Sequence, residues 1–282
     1  MLSLHTNAAA LSAQNSISRT QNTLSTSMTR LSTGYRINSA MDDAAGLQIA
    51  SRLKAQTSGM TVAMRNTQNS TSMLQTAEGA LDEVSNMLIR MKDLATQAAD
   101  ASSTDDDVTA MQAEYDALGL ELGNIMKNST FGGEKLFVSG TLAANMTFQI
   151  GASSTETMGV DLSGDLTELT ASLALVSTNY GAEADGTELD TAGTAIENLT
   201  NALDAVGVVR SGLGAAANRL EHVYNNLANI STNTKAATGT IMDVDFASES
   251  ANMTSNQMLL QASTAMLKQS NSMSSMVMSL LQ

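Results

Sequence analysis

The sequence predicts a mainly α protein: a coiled-coil-like bundle of long helices, a small β-hairpin region, and paired helices from the two ends of the chain. Three observations predict it. Apolar residues recur at alternating spacings of three and four over long stretches on both sides of the middle. There is no Pro among 282 residues, so no helix is broken by loss of a backbone donor. The two ends are alike in kind, nearly uncharged and rich in Ser, Thr, Asn and Gln, with sparse apolar residues at helical spacing.

The first segment carries Leu4 and Leu11, then Ile17, Leu24, Met28 and Leu31, the last four at i, i+7, i+11 and i+14. Its filler residues are mediocre helix formers, so this helix depends on a partner. Gly34 and Asn38-Ser39 interrupt the period, and 33–43 reads as a connector. Asp42 and Asp43 precede the next apolar run, where carboxylates cap a helix start and suit its dipole.

The strongest signal follows. Leu74, Leu81, Leu88 and Ala95 repeat every seven residues, interleaved with Ala77, Val84, Met91 and Ala98. A short polar break, AADASSTDDD, leads to Val108, Met111, Tyr115, Leu118, Leu122 and Ile125, an arrangement suited to an antiparallel helical hairpin. From FGGEKLFV (131–138) the period changes. Met146, Phe148 and Ile150 alternate with polar residues, as do Met158, Val160 and Leu162, which predicts short β-hairpins. Residues 177–190 read as a Gly-, Asp- and Thr-rich loop.

The helical period then returns. One row is Ala192, Leu199, Val206, Leu213, Leu220 and Leu227; the other is Ile196, Leu203, Arg210, Ala217 and Tyr224. Arg210 on that seam requires a partner or an exposed position. The last segment repeats the character of the first, with Met266, Met273, Val277, Leu280 and Leu281 at helical spacing and Lys268 as the lone charge after Glu249.

Charge and composition exclude several functions. The net charge is −14, which disfavours nucleic acid, whose binding rests on phosphate neutralisation. Residues 101–190 hold fifteen acids against Lys127 and Lys135, so the middle reads as solvated and the weakly charged ends as covered. There is no Cys, hence no disulfide and no thiolate zinc site. His5 and His222 lie far apart in sequence and make a poor metal site, and Asp105 to Asp107 lack a calcium-loop spacing. Ser51 to Lys54 matches S-x-x-K without its companion motifs, and no other catalytic motif occurs. The expectation is no enzyme, no cofactor and no metal. No apolar run is long enough for a membrane span, and the N-terminus lacks a basic and apolar signal pattern. A membrane-active amphipathic protein is a rival reading, opposed by the acidic charge and the lack of a basic face.

The chain resembles bacterial flagellin over nearly its whole length, most weakly across 140–190. The blocks that carry the resemblance are RLSTGYRINSAMDDAAGLQIASRL (30–53), RNTQNSTSMLQTAEGALDEVSNMLIRMKDLATQAA (65–99), VRSGLGAAANRLEHVYNNLANISTNT (209–234) and IMDVDFASESANMTSNQMLLQASTAMLKQSN (241–271).

The resemblance implies a structural subunit of a helical filament, with 1–43 an inner-tube helix and its connector and 241–282 the other inner-tube helix. Residues 44–176 and 177–240 would be the two parts of an outer-shell domain. It implies self-polymerisation through Leu4, Leu11, Ile17, Leu24, Met28, Leu31, Met266, Met273, Val277, Leu280 and Leu281. It also implies export through the flagellar type III channel without a cleaved signal, to an extracellular filament, with an export chaperone, cap and hook-junction proteins as partners. Recognition by host Toll-like receptor 5 would fall on Arg90, Leu94, Gln97 and Glu114, where Ile89 stands in place of the family's usual Gln. A flagellar hook–filament junction protein is the alternative the resemblance leaves.

Overall fold

The structure is a computed structural model that describes residues 7–177 and 191–280, with the backbone alone described over 274–280. Leu4, Leu281 and the expected loop beyond Ser177 lie outside the described residues, as do the side chains of Val277 and Leu280. The described chain forms α1 (Ala8–Thr33), α2 (Ala44–Ala98), α3 (Asp105–Asn128), β1 (Thr130–Phe131), β2 (Glu134–Lys135), β3 (Met146–Gln149), β4 (Thr157–Val160), α4 (Ser163–Ala174), α5 (Ala192–Met242) and α6 (Phe246–Leu280). Its contacts divide it into two compact units, residues 57–231 and residues 1–56 with 232–282. Both α2 and α5 contribute to each unit.

The central unit, 57–231, owns the main core. Leu74, Ala77, Leu81, Val84, Leu88 and Met91 of α2 are fully buried there, as their heptad predicts. Met111, Tyr115, Leu122 and Met126 of α3 join the same cluster. Thr104 and Asp107 start α3 with a reciprocal capping box: the Asp107 N–H donates to Thr104 Oγ1, and the Thr104 N–H donates to Asp107 Oδ2. The acidic run therefore serves a helix terminus.

On α5 the first heptad row packs as expected, with Leu199, Val206, Leu213 and Leu220 buried. The second row does not. The buried partners are Ala195, Ala202, Val209 and Ala216, one residue before the expected Ile196 row, which is half-buried at the edge. Small alanines let helix backbones approach closely, and the seam turns toward them. Arg210 is thereby placed at the rim, where its guanidinium reaches Glu78 at 2.8 Å and Asp82 at 2.9 Å on α2. The hydrogen bond to Glu78, followed by the charges of both carboxylates, raises its pKa further and holds it protonated.

The strands form two antiparallel hairpins. β1 and β2 turn through Gly132 and Gly133, both at positive φ, 62° and 92°, where a side chain would be strained. β3 pairs with β4 from Met146–Val160 to Gln149–Thr157. Met158 and Val160 face the core, so the period-2 reading holds.

A helix follows that the alternation did not suggest. α4 turns Leu166, Leu169 and Leu173 inward at spacings of three and four. Two glycines admit the excursion to the long helices. A Cβ on Gly59 of α2 would lie 2.7 Å from Ala152 Cβ, and one on Gly119 of α3 would lie 2.8 Å from Ser177 Cβ.

Behind α4, the fully buried Tyr115 hydroxyl donates to the Val176 carbonyl at 2.9 Å. Tyr115→Phe removes this donor in a dry site and is expected to lower stability by about 1–2 kcal/mol, read as a shift of the urea midpoint.

Candidate assembly surface

The terminal unit is built on α1 and α6. Asn7 caps α1, its Oδ1 accepting from the Ala10 N–H at 3.1 Å, while its Nδ2 donates to the Ser270 carbonyl at 3.3 Å. At the other end, Arg30 lies 3.7 Å from Glu249. These two ties, 7 to 270 and 30 to 249, make the pair antiparallel.

The covered rows have heptad spacing on both helices. They are Ala10, Ala13, Ile17, Thr20, Leu24, Ser27 and Leu31 on α1, and Glu249, Met253, Asn256, Leu260, Ser263, Leu267 and Ser270 on α6. Ser27 and Glu249 are buried and the other seam residues are half-covered. Six of these fourteen side chains are large and apolar. Each contributes less than the ~1.5–3 kcal/mol of a fully buried aliphatic residue. Ordering the backbone costs about 1–2 kcal/mol per residue. The pair is thus weakly held by its own seam, and a polar groove lined by Asn22, Ser27, Arg30, Glu249, Asn252 and Asn256 runs along it.

Expected polymerisation residues divide across this geometry. Ile17, Leu24 and Leu31 lie on the intramolecular seam. Leu11, Met28, Met266 and Met273 point away from it and are exposed, together with Met258 and Leu259. Sequence reading missed Met253, Leu260 and Leu267, whose signal is the same 3–4 spacing counted from Glu249.

The connector is tied down in detail. Gly34 ends α1 in the left-handed region at φ 76°, and its N–H donates to the Arg30 carbonyl. Tyr35 and Asp243 form an antiparallel bridge. The Arg36 N–H donates to the Met242 carbonyl at 2.6 Å, and the Val244 N–H to the Gly34 carbonyl at 3.0 Å.

Asp42 Oδ2 accepts from the N–H groups of Asn38 and Ser39, which holds its carboxyl below the usual range. Asp245 starts α6, held low first by the Ser248 hydroxyl and then by the Ser248 and Ala247 N–H groups. Both pKa values are depressed on folding. Their stabilisation is therefore present above the ordinary aspartate value of about 3.9 and lost as pH falls through the folded values. An acid titration followed by far-ultraviolet circular dichroism is expected to show α6 helix loss below about pH 4. Asp245→Asn, which keeps a capping oxygen but cannot titrate, should flatten that loss.

The second predicted surface lies in the central unit. Arg90 Nε and Nη2 of α2 both donate to Glu114 Oε1 of α3, at 2.9 and 2.6 Å, and both side chains are about half exposed. Gln97 is exposed and its carbonyl accepts from the Ser103 hydroxyl at 2.9 Å. Leu94 is 3% exposed and packs in the core, so it supports this surface from beneath.

Among the described residues, no three His, Cys, Asp or Glu gather as a metal site, and no helix is long and apolar enough to cross a membrane.

Two family profiles match, described as the bacterial flagellin N-terminal helical region over residues 4–141 and the C-terminal helical region over residues 196–281. The chain belongs to the bacterial flagellin family. It is similar to a flagellin of Halalkalibacterium halodurans, 40% identical over 90% of each chain, and to one of Bacillus subtilis, 36% identical over 98% of each. The solved Bacillus cereus flagellin is 30% identical and covers 62% of this chain and 94% of its own, with a TM-score of 0.48. Membership makes the chain a structural subunit that polymerises with copies of itself into the flagellar filament.

Proposed function

We propose that the terminal unit is the polymerisation element, and that the outward residues Leu11, Met28, Met266 and Met273 bury themselves against neighbouring copies. Sequence spacing alone assigns Leu4, Val277, Leu280 and Leu281 to the same role, while Ile17, Leu24 and Leu31 hold the pair together within each copy. The observation that carries this reading is a weakly seamed helix pair whose outer faces are almost free of charge and expose Leu11, Met28, Met258, Leu259, Met266 and Met273 among Ser, Thr, Asn and Gln. Contacts that do not close into a ring build a helix of indefinite length.

The finer divisions follow: 1–43 and 241–282 as the inner helices, 44–176 and 177–240 as the shell around them. Export through the flagellar channel without a cleaved signal, with a chaperone, a cap and hook-junction proteins as partners, belongs to the same reading. So does an extracellular role that is mechanical, with no catalysis.

Seeded growth of the purified full-length chain tests it. Negative-stain microscopy is expected to show long uniform filaments, and circular dichroism a gain of helix. A monomer that never adds to seeds would overturn it.

The Arg90–Glu114 face is the receptor surface in this reading, presented by Arg90, Gln97 and Glu114 and supported by Leu94. Arg90→Ala is expected to weaken activation of Toll-like receptor 5 reporter cells by roughly tenfold or more, the loss typical of a central charged anchor. An unchanged response would remove the receptor from this face.

A further inference from the structure

We propose that Met258, Met266 and Met273 form an oxidation-sensitive site that controls whether a free copy can join the filament. The proposal rests on the chain's role as a filament subunit and adds a chemical control to it.

The methionines divide sharply by place. Six of the nine in the central unit are buried and none is exposed. Every exposed methionine among the described residues lies in the terminal unit. Met41 is 95% exposed on the connector, Met28 stands on the outer side of α1, and Met266, Met258 and Met273 on α6 are 69%, 60% and 56% exposed. The three on α6 are eight and seven residues apart and so share one helix face, with Leu259 beside them. No Cys is present to intercept an oxidant first.

Exposed thioethers are the accessible two-electron reductants of this chain. With hydrogen peroxide, a sulfur lone pair attacks one peroxide oxygen, the S–O bond forms and the O–O bond breaks. The departing hydroxide takes up a proton, leaving water. Sulfur is oxidised by two electrons and peroxide is reduced by two. The product sulfoxide is a strong acceptor at three positions where the thioether had offered an apolar contact, on a face that also carries Ser255 and Gln269. Burying an acceptor without a donor disfavours the contact. A copy oxidised here joins poorly, whereas a copy already in the filament has these sulfurs covered. Enzymatic reduction of the sulfoxide restores the apolar face.

Partial oxidation of the full-length monomer with hydrogen peroxide, followed by seeded growth, tests this. Pellet and supernatant are compared by peptide mass spectrometry for the gain of roughly 16 Da that marks a sulfoxide. Sulfoxide at Met258, Met266 and Met273 is expected to be depleted about tenfold in the pellet, the ratio that 1.4 kcal/mol gives. Sulfoxide at Met41 should divide equally. Treatment with methionine sulfoxide reductase should return the excluded copies to growth. The triple variant M258L/M266L/M273L should lose most of the parent's sensitivity to peroxide, the remainder falling on the exposed Met28, while M41L stays as sensitive as the parent. Equal sulfoxide in pellet and supernatant at all three α6 positions would overturn the proposal. So would a triple variant that peroxide inhibits as strongly as the parent. If the triple variant does not elongate even untreated, the pellet-to-supernatant ratio of the parent chain decides alone. Failure of the untreated parent to grow on seeds would instead count against the filament reading.

Discussion

Deleting residues 246–282 is expected to abolish polymerisation while leaving the central unit folded. The deletion removes α6 and with it the partner of every seam residue on α1. A helix of Ser, Thr, Asn and Gln with only Ile17, Leu24 and Leu31 on its covered row has no means to stay ordered alone, because isolated helices depend on packing. The main core draws all its residues from 74–220, so it loses nothing. Seeded growth followed by light scattering and negative-stain microscopy should show no filaments. Circular dichroism should retain the helix of the central unit, with a cooperative thermal transition. Long filaments from the truncated chain would show that the terminal pair is dispensable.

Leu81→Ala should have the largest effect on stability. Leu81 is fully buried at the middle of the α2 heptad, in the cluster that α3 and α5 complete. Truncation removes three carbons and leaves a cavity that rigid neighbouring helices cannot close, at a cost of about 3–5 kcal/mol. Urea unfolding monitored at the helix signal should show the midpoint falling accordingly. A loss below about 1 kcal/mol would mean that the helices relax into the space, and that this core is looser than its burial indicates. The two experiments are complementary. One removes assembly and spares the core; the other weakens the core and spares the assembly surface.

Much of this was legible in the sequence, for a physical reason. A heptad on a helix of many turns is a repeated measurement of one face, and Leu74 to Met91 repeat it without exception. The α3 acids suit a helix start by its dipole, but Thr104 as the capping residue was not legible, since its hydroxyl is one of many in a Ser- and Thr-rich chain. The α5 seam was read one residue off, since Ala195, Ala202, Val209 and Ala216 carry a weaker hydrophobic signal than Ile196 and Leu203 but allow closer approach. Only the neighbouring helices decide between two adjacent rows. α4 was missed because twelve residues give few turns to count and the preceding strands set the wrong period.

At the assembly surface, apolar character was legible but direction was not. Met28 and Leu31 are both apolar and three residues apart, yet one is exposed and the other faces α6. Leu94 shows the same limit, as a residue within a surface motif whose side chain points inward.

The Arg210 fork has a consequence for motion along the bundle. Its guanidinium holds two carboxylates, Glu78 and Asp82, set one helical turn apart on the facing helix. A slide of α5 along α2 by part of a turn in either direction releases one carboxylate while keeping the other. Two carboxylates spaced along the facing helix leave the guanidinium a partner on either side of its present register, so the contact would favour that register while tolerating a small axial shift.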